Sequence, residues 1–530
     1  MMDGSMQPFR LTLDKFLDHG AKWHARSEVV TAGANGAVQR LTYSQLRDRA
    51  KRVSTLLKKR SVRFGDRVAT LAWNTSAHVE AWYGIMGMGA VCHTLNPRLA
   101  PADIAAMLLQ SQARILIVSA DLVALAFAVA EDAPEVTSIL VIDGDVPSEQ
   151  DGSRLRIEAL EACLAEADGA GPEWGAFDET APSGLCFTSG TTGAPKGVTY
   201  THRSSYLHTL RLLQADVFAI GCKDSVLAVV PMFHANAWGL PFATPAVGAK
   251  LVLPGRRTDG ESLARLINSE AVTIAVGVPT VWLGLLEHLE AVGGDVPSLQ
   301  RILVGGAPLP PALMERLESR LGVIIQTSWG MTELSPSGTV AHPDGGQRQA
   351  AFAGKPAIGV DLLLTDEQGV TLPEQRNVEG HLHVRGAAVV ERYFGQDEPA
   401  TDADGWFATG DLARIDDDGN LIITGRAKDL IKSGGEWINP AEIEAIIGAL
   451  PSVSLAAVIG RADIKWGERP LLLVELRREE TVCDDELLGA LKGRIPSWWM
   501  PDRVVRLEAM PTAPTGKIDK LQLRKIYGNA

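Results

Sequence analysis

Thr188-Ser189-Gly190-Thr191-Thr192-Gly193-Ala194-Pro195-Lys196-Gly197 gathers three glycines, four hydroxyl side chains and one lysine into ten residues. So few apolar atoms cannot build a core. Glycines that let the backbone approach closely, hydroxyls and one cation are what a loop needs to cradle a polyphosphate. The run Ser183-Gly184-Leu185-Cys186-Phe187 leads in, so the loop is expected to leave the end of a strand. It is not a Walker A loop, because Pro195 precedes Lys196 and Gly197 follows it. A flexible Gly/Thr surface turn is the alternative for such a string taken alone.

Outward from this loop, short β-branched runs alternate with helical windows. Strands are expected at Arg67 to Ala72, Ile115 to Val118, Ser138 to Ile142, Ser225 to Val230, Thr273 to Val276 and Ile302 to Val304. Helices are expected from Leu41 to Leu57 and from Ala81 to Met88. Parallel sheets covered by helices follow from that alternation. Residues 145–180 are polar and Gly-containing and read as a surface connection. Asp416-Asp417-Asp418-Gly419-Asn420 reads as a turn between strands. Beyond Gly425 to Asp429, helical windows at Glu442 to Leu450 and Asp484 to Leu491 flank strand-like Leu455 to Ile459 and Leu471 to Leu476. They make a compact α+β unit of about 100 residues, a plausible autonomous domain.

The 530 residues exceed what one core serves, so two or more domains are expected. A formal charge of −13 argues against a general nucleic-acid binder. Five scattered cysteines without a C-x-x-C pair suit buried thiols in a reducing compartment. No stretch reaches the roughly 18 apolar residues of a membrane span. The N-terminus lacks a basic segment followed by an apolar run. A cytoplasmic protein is the expectation.

Four further motifs follow the loop in order: Gln326-Thr327-Ser328-Trp329-Gly330-Met331-Thr332-Glu333, Thr409-Gly410-Asp411, Gly425-Arg426-Ala427-Lys428-Asp429 and Pro514-Thr515-Gly516-Lys517. Together the five resemble the signature of the adenylate-forming superfamily, closest to bacterial medium- and long-chain acyl-CoA synthetases. The match covers nearly the whole chain. It implies an α/β fold with a large N-terminal domain, residues 1–427, of parallel-rich sheets under helices. A small mobile α+β C-terminal domain, residues 428–530, would swivel about Lys428. It also implies an acid–thiol ligase using ATP, Mg²⁺ and coenzyme A, with homodimers common among long-chain relatives.

Adenylation needs positioned cations and N–H donors where charge gathers on phosphate. The resemblance puts Thr188, Ser189, Gly190, Thr191, Thr192, Gly193 and Lys196 on the β- and γ-phosphates, and Thr188 with Glu333 on Mg²⁺. A hydroxyl and one carboxylate, completed by phosphate and water oxygens, suit that hard ion. Gly305-Gly306-Ala307 and Ser328-Trp329 would face adenine, with Gly330, Met331, Thr332 and Ile423 beside the nucleotide. Trp329 departs from the tyrosine commonest in the superfamily but keeps an aromatic face for stacking. Asp411 would accept the ribose hydroxyls, and Arg426 offers a planar donor fork. Lys517 becomes the cation bridging carboxylate and α-phosphate. After the swivel, Lys432, Ser433, Gly434, Gly435 and Trp437 would line the thiol channel.

Pro231-Met232-Phe233-His234-Ala235-Asn236-Ala237-Trp238-Gly239 resembles the acyl-pocket stretch of the same relatives. There His234 would lie near the carboxylate and Trp238 would gate the acyl tunnel. Amino-acid-adenylating domains tend to carry an aspartate at His234, so a simple carboxylic acid is expected. A medium- or long-chain fatty acid is the first reading, and an aryl or sulfur-containing acid the alternative. Rival readings are a domain that loads a carrier protein, a luciferase-like oxidative enzyme and a degenerate nucleotide-binding protein.

Overall fold

The structure is a computed structural model that describes residues 4–33, 37–146, 154–167, 171–188, 195–344, 348–477, 480–513 and 517–529. Among these, four sheets organise the chain. A seven-stranded sheet runs Arg156–Ala159, Ser138–Ile142, Ile115–Ser119, Arg67–Leu71, Val91–Thr94, Pro182–Thr188, Lys196–Thr201. All its pairs are parallel except the last, a hairpin joining Thr188 to Lys196 in register. A nine-stranded sheet has a parallel centre of Ile324–Gly330, Arg301–Val304, Ile274–Gly277, Ser225–Ala228, Lys250–Leu253 and Glu28–Ala32.

These central strands read as unbroken apolar runs because both faces are covered. In Ser225–Ala228, Val226 and Ala228 enter one core while Leu227 enters another. Ile115 and Ile117 of the seven-stranded sheet belong to the same core as Val226 and Ala228. That core lies between the sheets and is filled by helices Tyr43–Lys59 and Ser76–Gly87, with Trp82 and Tyr83 buried. The first of these helices starts at Thr42, whose hydroxyl accepts the Gln45 N–H in a capping box.

Two features depart from the sequence reading. Within residues 145–180, Arg156–Ala159 is an edge strand and Leu160–Ala165 a helix, with Leu160 and Leu164 buried in the main core. Polar composition masked them because Leu160 and Leu164 are the fully buried positions of the two elements, while Ile157 and Cys163 pack only partly buried. The second is a four-stranded, wholly antiparallel sheet of Val360–Thr365, Glu379–Gly386, Phe407–Ile415 and Leu421–Arg426. It escaped the parallel-sheet expectation because its strands alternate exposed and buried residues, as in Glu379–Gly386.

A five-stranded sheet built from residues 431–507 has its own cores around Ile443, Val458 and Leu472, and around Ile459 and Leu523. The turn expected at 416–420 falls between two strands. The cysteines are free, but only Cys92 and Cys186 are buried; Cys222 and Cys483 are exposed, contrary to the expectation of buried thiols. Among the described residues no helix is long and apolar enough to cross a membrane.

Candidate active site

Ligands usually bind beyond the C-terminal ends of parallel strands in such sheets, and Thr188 and Gly305 both lie at or just past such ends here. Ser189 to Gly193 of the phosphate loop lie outside the described residues. Their two supports do not: Thr188 ends one strand, Lys196 starts the next, and the Thr188 hydroxyl donates to the Lys196 carbonyl at 3.4 Å. The Lys196 ammonium sits 4.9 Å from the centre of the Tyr393 ring. The Tyr393 hydroxyl donates to Glu333 Oε1 at 2.9 Å. Thr188, Lys196, Tyr393 and Glu333 therefore form a chain of neighbours along one wall. Glu333 is 8% exposed, on a short helical turn, Thr332–Leu334, whose Thr332 carbonyl accepts from the buried Tyr200 hydroxyl at 2.9 Å.

Among the described residues no group of three or more His, Cys, Asp or Glu side chains could hold a metal. A lone carboxylate beside a threonine hydroxyl fits a hard cation that brings most of its oxygen ligands with a nucleotide.

The opposite wall is built from Gly305-Gly306-Ala307, between strand Arg301–Val304 and helix Pro311–Leu321. A methyl group on Gly305 would collide with Ser328 Oγ and stand 2.9 Å from Trp238 Cη2. One on Gly306, at φ +79°, would stand 4.0 Å from both Trp238 Cζ2 and Lys517 Cε. Only hydrogen fits at 305, and the Trp238 and Lys517 side chains both flank this turn.

Trp238 reaches it from a segment of unusual backbone. Ala235, Asn236, Ala237 and Trp238 have φ of 44, 52, 46 and 52°, followed by Gly239 at 79°. Such left-handed conformations cost roughly 1–2 kcal/mol per non-glycine residue, so the surroundings must impose them. Asn74 supplies part of that constraint. Its Nδ2 donates to the Ala228 and Val230 carbonyls at 2.9 and 2.8 Å, and its Oδ1 accepts the Met232 N–H at 2.7 Å. At the far end Gly239 packs on the buried His208 ring, where a Cβ would lie 3.0 Å from Nδ1. Burial, and then the Lys517 charge, push the His234 pKa down to about 4, so its imidazole is neutral at physiological pH.

Asp411 closes the third side. It is 2% exposed; its Oδ1 takes Arg426 Nε at 2.6 Å and its Oδ2 takes the Trp329 indole N–H at 2.8 Å. Burial raises its pKa against the opposing pull of Arg426. Ile423 and Met331 pack partly buried around the same core as Trp329. Lys517 keeps an open side to solvent, while its ammonium is hemmed in by the cleft. Its pKa is pushed below the ordinary lysine range by desolvation, then by the Arg426 cation, with Lys428 adding to the effect and Asp411 and Glu333 opposing it. Its turn is fixed by the Ala513 N–H to Lys517 carbonyl bond at 2.6 Å. Two ion pairs anchor the following helix, Lys520–Glu444 at 2.7 Å and Arg524–Asp429 at 3.0 Å.

The structure thus gathers Thr188, Lys196, His234, Trp238, Gly305, Gly306, Ser328, Glu333, Asp411, Arg426, Lys428 and Lys517 together, with Trp329 buried behind Asp411. The remaining predicted group sits elsewhere. Lys432, Ser433, Gly434, Gly435 and Trp437 form a hairpin of the five-stranded sheet. Its contacts are with its own sheet: Gly434 packs on Trp466, the Lys432 N–H donates to Glu468, and Lys432 lies 5.2 Å from the Trp437 ring. Trp437 is 42% exposed. Tyr393 and Asn74 were missed from sequence. Neither belongs to a glycine-rich motif, and Tyr393 meets Glu333 only through the fold.

Comparison with known proteins gives the family. The AMP-binding enzyme family matches residues 17–394, and the AMP-binding enzyme C-terminal domain matches residues 442–517. The chain is 40% identical to a 3-methylmercaptopropionyl-CoA ligase of Ruegeria lacuscaerulensis, over 100% of this chain and 99% of that one. It is 38% identical to a medium-chain-fatty-acid–CoA ligase of Ectopseudomonas oleovorans, over 100% and 98%. ATP-bound MatB from Rhodopseudomonas palustris superposes with a TM-score of 0.85 at 25% identity, over 98% of this chain and 99% of that one. The chain belongs to the AMP-binding enzyme family and is an AMP-forming acyl-CoA ligase, an acid–thiol ligase that uses ATP, Mg²⁺ and coenzyme A.

Proposed function

We propose that the acid is an unbranched aliphatic carboxylate of medium length, activated between Lys517, His234 and the Gly305-Gly306 turn. The observation that carries this is that the Lys517 side chain and the Trp238 indole both flank the Gly306 turn. A cation there can hold a carboxylate oxygen and an α-phosphate oxygen together while the apolar remainder of the acid lies against the indole. The neutral His234 can orient the carboxylate by a hydrogen bond without adding charge.

In the first half-reaction a carboxylate oxygen attacks the α-phosphorus as the bond to the β-phosphate breaks, and pyrophosphate leaves. Lys517 and Arg426 are the cations closest to the growing charge, and Lys196 faces the departing phosphates. Glu333 and Thr188 would hold Mg²⁺, which would neutralise phosphate charge. Asp411 accepts from the ribose. In the second half-reaction the coenzyme A thiol releases its proton to solvent, its sulfur attacks the acyl carbonyl, and the carbon–oxygen bond to the phosphate breaks so that AMP departs. Between the two half-reactions the 428–530 unit turns about Lys428 and brings the Gly434-Gly435 hairpin to the cleft in place of Lys517.

A second reading has a specific support. A thioether replaces a methylene with little change in shape, and a 40%-identical relative is named for 3-methylmercaptopropionate. The same apolar wall suits that acid. The test is acid-dependent exchange of labelled pyrophosphate into ATP, followed by coenzyme A consumption. The panel runs from acetate to palmitate with 3-methylthiopropionate, benzoate and cinnamate. A kcat/KM maximum at six to twelve carbons is the expected result. A maximum at the thioether acid would install the second reading, and a preference for aryl acids would sink both.

A further inference from the structure

Trp329 stands where stacking on adenine was expected, yet the indole is 8% exposed and belongs to a core. Strand Ile324–Gly330 sends Ser328 towards the Gly305 turn and Trp329 the other way, into a core shared with Tyr200, Leu334 and the four-stranded sheet. A side chain on Gly338 would stand 2.6 Å from Trp329 Cζ3, so glycine there makes room for the indole. The polar end of that ring then reaches 82 residues along the chain, to Asp411 Oδ2 at 2.8 Å.

Asp411 is otherwise held by two things. Its N–H donates to Thr409 Oγ1 at 3.1 Å, and the Thr409 hydroxyl donates to the Leu382 carbonyl at 2.8 Å, which fixes the main chain. Its Oδ1 takes Arg426 at 2.6 Å. Arg426 is 40% exposed in its side chain and lies two residues before Lys428. That anchor sits beside the hinge; the buried Trp329 anchor does not.

We propose that Trp329 is a positioning residue for the nucleotide ribose: its indole N–H locks the Asp411 carboxylate in the orientation that receives the ribose hydroxyls. This rests on the reading of Asp411 as the ribose acceptor. Losing one hydrogen bond to a buried carboxylate should raise KM for ATP about tenfold or more and leave KM for the acid unchanged. A stacking role would instead depend on the ring and be indifferent to the N–H.

The experiment replaces Trp329 with 3-benzothienylalanine, which keeps the bicyclic shape and carries sulfur where indole has N–H, alongside Trp329→Phe. Pyrophosphate exchange is measured with ATP, 2′-deoxy-ATP, 3′-deoxy-ATP and purine riboside triphosphate, and thermal unfolding reports whether each protein folds. The expected result is a raised KM for ATP with the sulfur analogue. The deoxy-nucleotides should then lose less relative to ATP than they do in the natural protein, while the purine analogue shows no such coupling. An unchanged KM for ATP with the sulfur analogue overturns the proposal, as does an equal loss for all four nucleotides. If the natural protein is indifferent to both ribose hydroxyls, the Asp411 reading falls and the proposal with it. Should Trp329→Phe fail to fold, the isosteric analogue still decides.

Discussion

Replacing Lys517 with alanine separates the two half-reactions most sharply. The ammonium is one of several cations on the cleft: Lys196, Arg426 and Lys428 stay in place. Ground-state affinity for ATP should therefore change only a few-fold. Lys517 differs from the other three in where it sits, beside the Gly306 turn that Trp238 also flanks, where carboxylate and α-phosphate would meet. The charge that grows there exists only in the transition state, and losing one such donor costs about 2.7–4 kcal/mol, or 10²–10³ in rate. Folding should be spared, because Lys520–Glu444 and Arg524–Asp429 anchor the segment without it. The assay is acid-dependent pyrophosphate exchange, run beside thioester formation from supplied acyl-adenylate and coenzyme A. The first should fall by 10²–10³ and the second by less than about threefold. An equal loss in both would refute the reasoning, since Lys517 would then act on the fold or on nucleotide binding at large.

Gly305→Ala should lower kcat at least about tenfold and alter the ranking of acids, because the methyl meets Ser328 Oγ and Trp238 Cη2; overpacking of this kind costs about 1–3 kcal/mol. An unchanged acid profile would show that the wall yields. Tyr393→Phe keeps the ring beside Lys196 but removes the 2.9 Å donor to Glu333, so the Mg²⁺ concentration for half-maximal exchange should rise about three- to tenfold. An identical Mg²⁺ titration would detach Glu333 from the ion. Acid should destabilise the protein. His78 and His234 are pushed down to about 4 and His93 and His202 to about 3 by burial, so below about pH 6.5 the unfolded chain takes up protons the folded one refuses. Glu80, raised to about 7, Asp143, raised to about 6, and Asp411, Glu442 and Glu444, raised by burial, act in the opposite sense, but His19, His208 and His383 are lowered by burial as well, so seven histidines stand against five carboxylates. The urea midpoint should fall from pH 7 to pH 5, and a rise would contradict this balance.

Much of this was legible in sequence because the five motifs carry their geometry locally. A Gly-Gly turn after an apolar run predicts where a backbone can approach a ring, and Gly305 is indeed a place where a methyl cannot fit. The parallel strands announced themselves as unbroken apolar runs. The antiparallel sheet around Asp411 did not, because half of each strand faces water and mimics a loop. Illegible altogether were contacts set by tertiary distance. Tyr393 to Glu333 spans 60 residues, Trp329 to Asp411 spans 82, and Asn74 to Met232 spans 158. A side chain whose role is to hold another gives no periodicity and no spacing.

The left-handed turn at 235–238 has a bearing on how the acid pocket could be redesigned. In mirror-handed backbone, successive side chains circle the opposite way, so neighbours around the wall do not follow the three-and-four spacing of an ordinary helix. Ala235→Gly or Ala237→Gly would ease the conformation and firm the fold by up to about 1–2 kcal/mol. The same exchange would let the indole of Trp238 wander. Robustness and discrimination are therefore opposed at this corner, and a variant library that screens for heat tolerance alone would drift towards a more promiscuous catalyst.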